Sequence, residues 1–233
     1  MIKIIDLYVR KSGLNAEEFV SYLTQVHGIK AKDVPGVHGY NVQQALPLPE
    51  RTDIIQLKLP QLDGFAEIWV DDLDTYYALQ QSPQGSAWFA DRLHFVGAMK
   101  SLVTKEDPIV PVPKARPKAR NNAFLNKNPN HNMDDFLHNW HIGHGPTAKT
   151  IPYLKGFVLC DVIDEILPED MAAIDSDPIH GCAQAFFDSP EDELKMIATP
   201  EAKAWFKHGA ATFGHIKAFG SRETEIIPFN RGQ

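Results

Sequence analysis

Residues 19–28, Phe-Val-Ser-Tyr-Leu-Thr-Gln-Val-His-Gly, lie over residues 136–145, Phe-Leu-His-Asn-Trp-His-Ile-Gly-His-Gly, at an offset of 117. The register continues without a gap: Ala31 falls on Ala148, Lys32 on Lys149, Pro35 on Pro152 and Gly39 on Gly156. Between Asn15 and Asn41, eight of 27 positions are identical, where chance in ordinary composition gives roughly two. The same offset pairs Gly64 with Gly181, Ala66 with Ala183, Asp71 with Asp188, Pro83 with Pro200, Ala87-Trp88-Phe89 with Ala204-Trp205-Phe206, and Glu106 with Glu223. A fixed period of this length marks an internal duplication.

Each repeat reads as one α+β layout. Ile2–Lys11 is rich in Ile, Leu, Tyr and Val and predicts a strand. Asn15 is placed to cap a helix, with Glu17 and Glu18 in its first turn and Phe19, Tyr22, Leu23 and Val26 at helical spacing to His27 or beyond. Pro35-Gly36 stops it. Strands are expected over Gly39–Gln44, Phe65–Val70 and Ser101–Val110, and helices over Leu73–Leu79 and Pro83–Phe95, Pro83 suiting a first turn. The order β-α-β-β-α-β is ferredoxin-like. The expected division is a first module over 1–110, a Pro-rich linker over 111–121 and a second module over 122–233. The helices cover one face of each antiparallel sheet, and the other face must also be buried. Two such sheets in one chain are therefore expected to pack face to face as an intramolecular barrel.

Composition narrows the function. The chain of 233 residues is 43% hydrophobic and 23% charged, with net charge −7. That balance fits a folded protein and gives no basic face for nucleic acid. The one basic run, Lys114, Arg116, Lys118 and Arg120, alternates with Ala and Pro and reads as a solvated connector. The N-terminal stretch is too short and polar for a secretory leader, and no apolar run reaches the ~18 residues that cross a bilayer. A cytoplasmic protein with no membrane partner is expected. Cys160 and Cys182 then read as reduced thiols in apolar strands.

These residues resemble the EthD family of the dimeric α+β barrel superfamily. In the first half the resemblance is carried by Phe19…His27-Gly28…Pro35-Gly36…Gly39-Tyr40, by 63–71 (Asp-Gly-Phe-Ala-Glu-Ile-Trp-Val-Asp), by Ser82-Pro83, by Ala90-Asp91…Phe95 and by Thr104…Glu106. In the second half it is carried by Phe136…Trp140…His144-Gly145-Pro146…Pro152…Gly156-Phe157, by Gly181-Cys182-Ala183…Phe186-Phe187-Asp188 and by Thr199-Pro200. The halves depart from the pattern differently. The first has Leu23 and Ile29 where the second has Trp140 and Pro146; the second has His208 for Asp91 and Gln184 for Glu67. The resemblance implies cofactor-independent chemistry on apolar aromatic or polyketide-like compounds, among relatives that include dehydratases, cyclases, isomerases, lyases and oxygenases. Some related barrels bind haem through a histidine, and no attachment signature is present here. Fold alone does not choose among these activities.

A pocket is expected in each module between helices and concave sheet. His27 and His144 share one register at the end of the first helix, where an imidazole can take and return a proton near neutral pH. The competing reading is a charged histidine capping the last helical carbonyls. Asp91 and His208 also share a register, giving the candidate catalytic pairs His27/Asp91 and His144/His208. An Asp facing a His orients the ring and raises its basicity. A solvated helix position is the bland alternative for both. His38, Tyr40, Trp69, His94, Trp140, His141, Phe157 and Phe186 are the candidate substrate contacts. Trp88 and Trp205, identically placed in both halves, read as packing residues. His138, His141 and His144 at i, i+3, i+6 fan out on a helix, and HExxH and CxxC are absent, so no metal is expected. There is no GxGxxG, P-loop or GxSxG.

The resulting expectation is a cofactor-independent lyase, a dehydratase or C–C/C–O cleaving enzyme, acting on an aromatic or polyketide-like small molecule. An oxygenase of the same fold, with or without haem, and a non-catalytic binder of an apolar ligand are the alternatives. A homodimer of the tandem chain is allowed.

Overall fold

Strand β1 (Ile2–Arg10) alternates two ways at once: Ile4, Asp6 and Tyr8 face the helices, while Lys3, Ile5 and Leu7 face the opposite sheet. The computed structural model describes residues 1–49, 52–115 and 117–229. β1 leads into α1 (Ala16–Tyr22), which Asn15 opens with a capping box: its side chain accepts from the Glu18 amide, and the Glu18 carboxylate accepts from the Asn15 amide. The helix then widens into a π-helical turn over Leu23–His27, continues as α2 (Gly28–Lys30) and tightens to a 3₁₀ turn over Ala31–Asp33. Gly36, at φ +87°, makes the left-handed turn that follows.

The rest of the first repeat is β2 (Gly39–Pro47), a two-residue β3 (Ile55–Gln56), β4 (Gly64–Val70), α3 (Leu73–Gln81), α4 (Pro83–Asp91) and β5 (Val96–Val110). The second repeats it: β6 (Ala119–Lys127), α5 (Met133–His138), a π-helical turn over Asn139–His144, β7 (Gly156–Ile166), β8 (Ala172–Ala173), β9 (Gly181–Phe187), α6 (Pro190–Ala198), α7 (Pro200–Thr212) and β10 (Phe213–Ile227). β1, β3, β4, α3 and β5 reproduce β6, β8, β9, α6 and β10 at both ends at the offset of 117.

Two expectations are corrected here. β5 begins at Val96, five residues before Ser101, because the helical stretch from Pro83 ends in a short 3₁₀ turn over Arg92–His94. The second repeat begins at Ala119, not Asn122: Ala119–Lys127 pairs with β9 as Ile2–Arg10 pairs with β4. Arg120, read as part of a solvated connector, is thus a buried strand residue equivalent to Lys3. Arg116 lies outside the described residues.

The strands close as a ring, β1-β4-β2-β10-β6-β9-β7-β5 and back to β1. The ring closes between the repeats, since the long β5 pairs with β1 on one side and β7 on the other, and β10 pairs with both β6 and β2. Each long strand serves both halves, so the two sheets are hydrogen-bonded into one eight-stranded barrel. Helices cover its outside through two apolar layers, one per repeat. Inside, Ile5, Leu7, Phe65, Leu102, Phe124, Val158 and Phe219 pack together. They are joined by a buried polar network in which Lys3 Nζ bonds Glu67, Glu106 and Gln184, and Arg120 bonds Glu67 and Glu223. Lys3 and Arg120, and Glu106 and Glu223, are repeat equivalents.

Candidate functional site

The π-helical turn of the first repeat ends on His27, which is buried at 1% exposure against the sheet-facing side of α4. Its Nδ1 lies 3.0 Å from Oδ2 of Asp91, the last residue of α4. Asp91 Oδ1 accepts from the Tyr22 hydroxyl at 3.0 Å and from the Lys30 ammonium. The His27 ring stacks on Trp88 (centroids 5.4 Å apart), whose indole N–H donates to the His27 carbonyl at 3.2 Å. Single-turn π segments recur at functional sites because the wider turn re-aims a side chain. Here the turn carries His27 onto α4. Burial holds the His27 imidazole below its ordinary value, with Asp91 partly offsetting this. Burial alone would raise the Asp91 carboxyl, but the hydrogen bonds from His27, Lys30 and Tyr22 outweigh it and hold it well below the usual carboxylate range. Asp91 is therefore ionised. A carboxylate only accepts, so the His27 proton sits on Nδ1 and Nε2 is left basic.

Beneath His27 the sheet presents Tyr40, expected from the sequence, together with polar groups that were not expected, Asp6, Tyr8, Tyr76 and Ser101. Asp6, on β1, is buried and accepts from the hydroxyls of Tyr8 (2.8 Å) and Ser101. Tyr40 and Tyr76 are fully buried in the same layer. Tyr40 stands edge-on to Trp88 at 5.1 Å, the ring that also carries His27. Burial first, and Asp6 second, push the Tyr8, Tyr40 and Tyr76 phenols upward. The Arg92 guanidinium is also raised: burial would lower it, and Asp6, Tyr8 and Tyr76 more than compensate. The available signal was an aspartate on the apolar face of a buried strand, between Ile4 and Tyr8.

The second repeat keeps the frame and changes the side chains around its histidine. His144 stacks on Trp205 at 4.9 Å, and the Trp205 indole donates to the His144 carbonyl at 3.2 Å. His144 Nδ1 meets His208 Nδ1 at 3.3 Å, so two rings share one proton position where the first repeat has an imidazole and a carboxylate. Asp6, Tyr8, Tyr40, Tyr76, Arg92 and Ser101 become Ala123, Leu125, Phe157, Glu193, Gly209 and Ala218. The strand registers agree, Asp6 facing Ser101 as Ala123 faces Ala218. The layer beneath His144 is apolar except where Asn121 donates to Glu193 at 2.9 Å.

The remaining candidates scatter. Tyr40 and Phe157 occupy equivalent places beside Trp88 and Trp205. Trp69 and Phe186, expected in the helix–sheet pockets, lie on the other face of the sheet, because odd and even positions of β4 and β9 point to opposite sides. Trp69 donates to Glu106 and stacks on Phe229; Phe186 lies under Arg120. His38 is exposed beside Asp71. His94 is exposed, its ring 6.3 Å from Tyr22. Trp140 is buried over Gly181, and its Nε1 has no partner among the described residues. His141 is clamped between Asp107 and Asp161, at 2.8 Å each, away from His144. Among the described residues no three His, Cys, Asp or Glu side chains are placed to hold a metal ion. No helix of the described residues is long and apolar enough to cross a membrane.

Two clefts of about 380 and 390 Å³ lie away from His27 and His144. The first is lined by Arg120, Phe186 and the segment before β6; the second by the loop after β1 with Gln61 and Asp63.

Comparison with known proteins agrees with this frame. Residues 11–98 match the EthD domain family. The chain is 29% identical over 106 residues to a 4-carboxymethyl-4-methylbutenolide mutase of Pseudomonas reinekei, covering 46% of this chain and 98% of that one. Among solved structures it is similar to an anthrone oxidase-like protein (TM-score 0.65, 8% identity, 100% of this chain and 96% of the other). It is also similar to a chlorite dismutase variant from Candidatus Nitrospira defluvii (TM-score 0.53, 14% identity, 97% and 91%). At such identities these two likenesses concern the fold. Residues 11–98 thus resemble the EthD domain family, and the fold around them is an α+β barrel that two fused repeats build from a single polypeptide.

Proposed function

We propose that the first repeat holds the working site of a cofactor-independent enzyme that moves a proton on a small organic molecule and so breaks, or breaks and remakes, a C–O or C–C bond. The observation that carries this reading is the difference between the repeats. A buried His–Asp pair above Asp6, Tyr8, Tyr40, Tyr76 and Ser101 stands in one, and a His–His pair above a layer that is apolar but for Asn121 and Glu193 in the other.

His27 Nε2 takes a proton from a carbon beside a carbonyl, and the C–H electron pair passes into the enolate. The enolate expels an oxygen from the neighbouring carbon, that C–O bond breaks, and the imidazolium returns its proton to the leaving oxygen. Asp91 holds the ring and balances the transient imidazolium, the role a carboxylate plays behind a catalytic histidine. Tyr40, beside the Trp88 ring that carries His27, supplies a donor for the carbonyl oxygen. Stopping at this point is a lyase reaction; re-addition of the oxygen at another carbon is a rearrangement. The name of the Pseudomonas relative, a mutase acting on a butenolide, favours an unsaturated lactone or a similar ring as the substrate class. His27 is almost fully covered, so binding requires the helical layer to part from the sheet, a gating step common in enzymes.

The test is incubation with 4-carboxymethyl-4-methylbutenolide in D2O, following deuterium uptake and rearrangement by NMR. Exchange or turnover that disappears in His27→Ala and persists in His144→Ala supports the assignment. Full activity of His27→Ala, or loss only in His144→Ala, overturns it.

A further inference from the structure

The duplication also bears on the cleft beside Phe186, which the proposed reaction does not use. Its walls include Val112, Lys118, Arg120, Phe186, Glu223 and Glu225. Nearly every wall residue has a repeat equivalent, and the equivalent place is occupied. Beside Trp69, the counterpart of Phe186, the ring of Phe229 stacks with centroids 4.7 Å apart and planes 14° from parallel. Lys3, the counterpart of Arg120, lies 5.6 Å from the Trp69 ring, as the Arg120 guanidinium lies 4.9 Å from Phe186. Gly39 supports that stack: a Cβ there would overlap Phe229. Its counterpart Gly156 leaves the same space, filled by Val112, which stands where the offset places Phe229. One place therefore holds an aromatic ring from the chain itself. The other holds only an isopropyl group and an open volume of about 380 Å³, within the range of small-molecule sites.

A second, independent feature belongs to this cleft. Arg120 is 3% exposed and spends its terminal nitrogens on Glu67 and Glu223, while its buried Nε has no hydrogen-bond partner among the described residues. A buried donor without an acceptor is costly. Among the described wall residues, the acidic side chains Glu223 and Glu225 equal in number the basic ones, Lys118 and Arg120.

We propose that this cleft is a second binding site, distinct from the His27 layer, for a planar aromatic molecule bearing an uncharged oxygen. The ring stacks on Phe186 as Phe229 stacks on Trp69, and the oxygen accepts from Arg120 Nε. The probe is 2-naphthol, followed by fluorescence titration for the number of molecules bound and their affinity. Val112→Phe rebuilds the internal plug of the other repeat. It is expected to remove one bound 2-naphthol per chain, or to weaken it at least tenfold, without lowering the melting temperature. If Val112→Phe does not fold, Val112→Leu fills part of the same volume and is read the same way. His27→Ala is expected to leave this molecule bound, which separates the site from the proposed reaction. An unchanged count and affinity in the folded Val112 variant overturns the proposal, as does loss of this molecule in His27→Ala.

Discussion

Nδ1 of His27 lies 3.0 Å from Oδ2 of Asp91, two buried side chains that the fold brings together from 64 residues apart. Asp91→Asn keeps the shape and removes the charge that favours the imidazolium. The His27 pKa, already lowered by burial, then falls further, because Asp91 is what raises it. Activity on the butenolide is expected to drop about a hundredfold, the size of a general acid–base contribution. The acid limb of the pH–rate profile is expected to move to lower pH. A limb that stays in place, or moves up, contradicts the pairing.

The same pair sets an acid sensitivity of the fold. Both His27 and Asp91 have lowered pKa values in the folded state. Their stabilisation is present above their unfolded values and is lost as pH falls through the folded ones. The melting temperature of the wild type is expected to decline below about pH 6.5, the ordinary imidazole value. The doubly substituted His27→Gln, Asp91→Asn protein should show a shallower decline over that range.

His141 has the opposite sign. Burial would lower its pKa, but the bonds to Asp161 and Asp107 raise it above the ordinary value. Its stabilisation is full below the unfolded imidazole value and is lost as pH rises through the raised folded value. His141→Gln is expected to lower the melting temperature at pH 6 and to have little effect at pH 9. An equal effect at both would show that the clamp acts through shape alone.

Lys3 is a cation buried inside the barrel on Glu67, Glu106 and Gln184. Lys3→Met removes the cation that bonds Glu106 and one of the two cations that bond Glu67, which keeps Arg120. Removing one member of a buried ion pair costs about 3–5 kcal/mol, measured as a lowered denaturant midpoint. Lys3→Arg, the residue its own repeat equivalent uses, should cost less.

Gly181 lies against the Trp140 ring: a Cβ added there would come within 2.0 Å of it. Gly181→Ala overpacks a buried layer and is expected to cost about 1–3 kcal/mol. Trp140→Leu, which installs the residue of the first repeat, should relieve part of that cost, so a double-mutant cycle should give a favourable coupling.

The strand and helix order was legible because each element carries its own period and its own caps. Asn15, Pro83 and Gly36 act within a few residues of themselves, and the duplication let each half check the other. His27 with Asp91, and His144 with His208, were legible for the same reason: a shared register survives at both members of each pair. The misplacement of Trp69 and Phe186 has a different source. A strand displays both faces in its sequence, and which face meets the helices depends on the register of its neighbours. Arg120 was misread because local charge alternation describes a connector as well as it describes a strand whose partners, Glu67 and Glu223, are 53 and 103 residues away.

The duplication, the ferredoxin-like order of each repeat and the histidine that each carries at the end of its first helical segment can be read from the residues alone. These follow from periodicity and capping, which are short-range. Tertiary structure alone decided that β5 and β10 close the two sheets into one barrel and that Asp6, Tyr8, Tyr40 and Tyr76 gather beneath His27. It also decided that Phe229 fills one place whose repeat equivalent stays open. Those outcomes depend on the pairing of distant strands, and hydrogen-bond register over such separations is set by the packed whole.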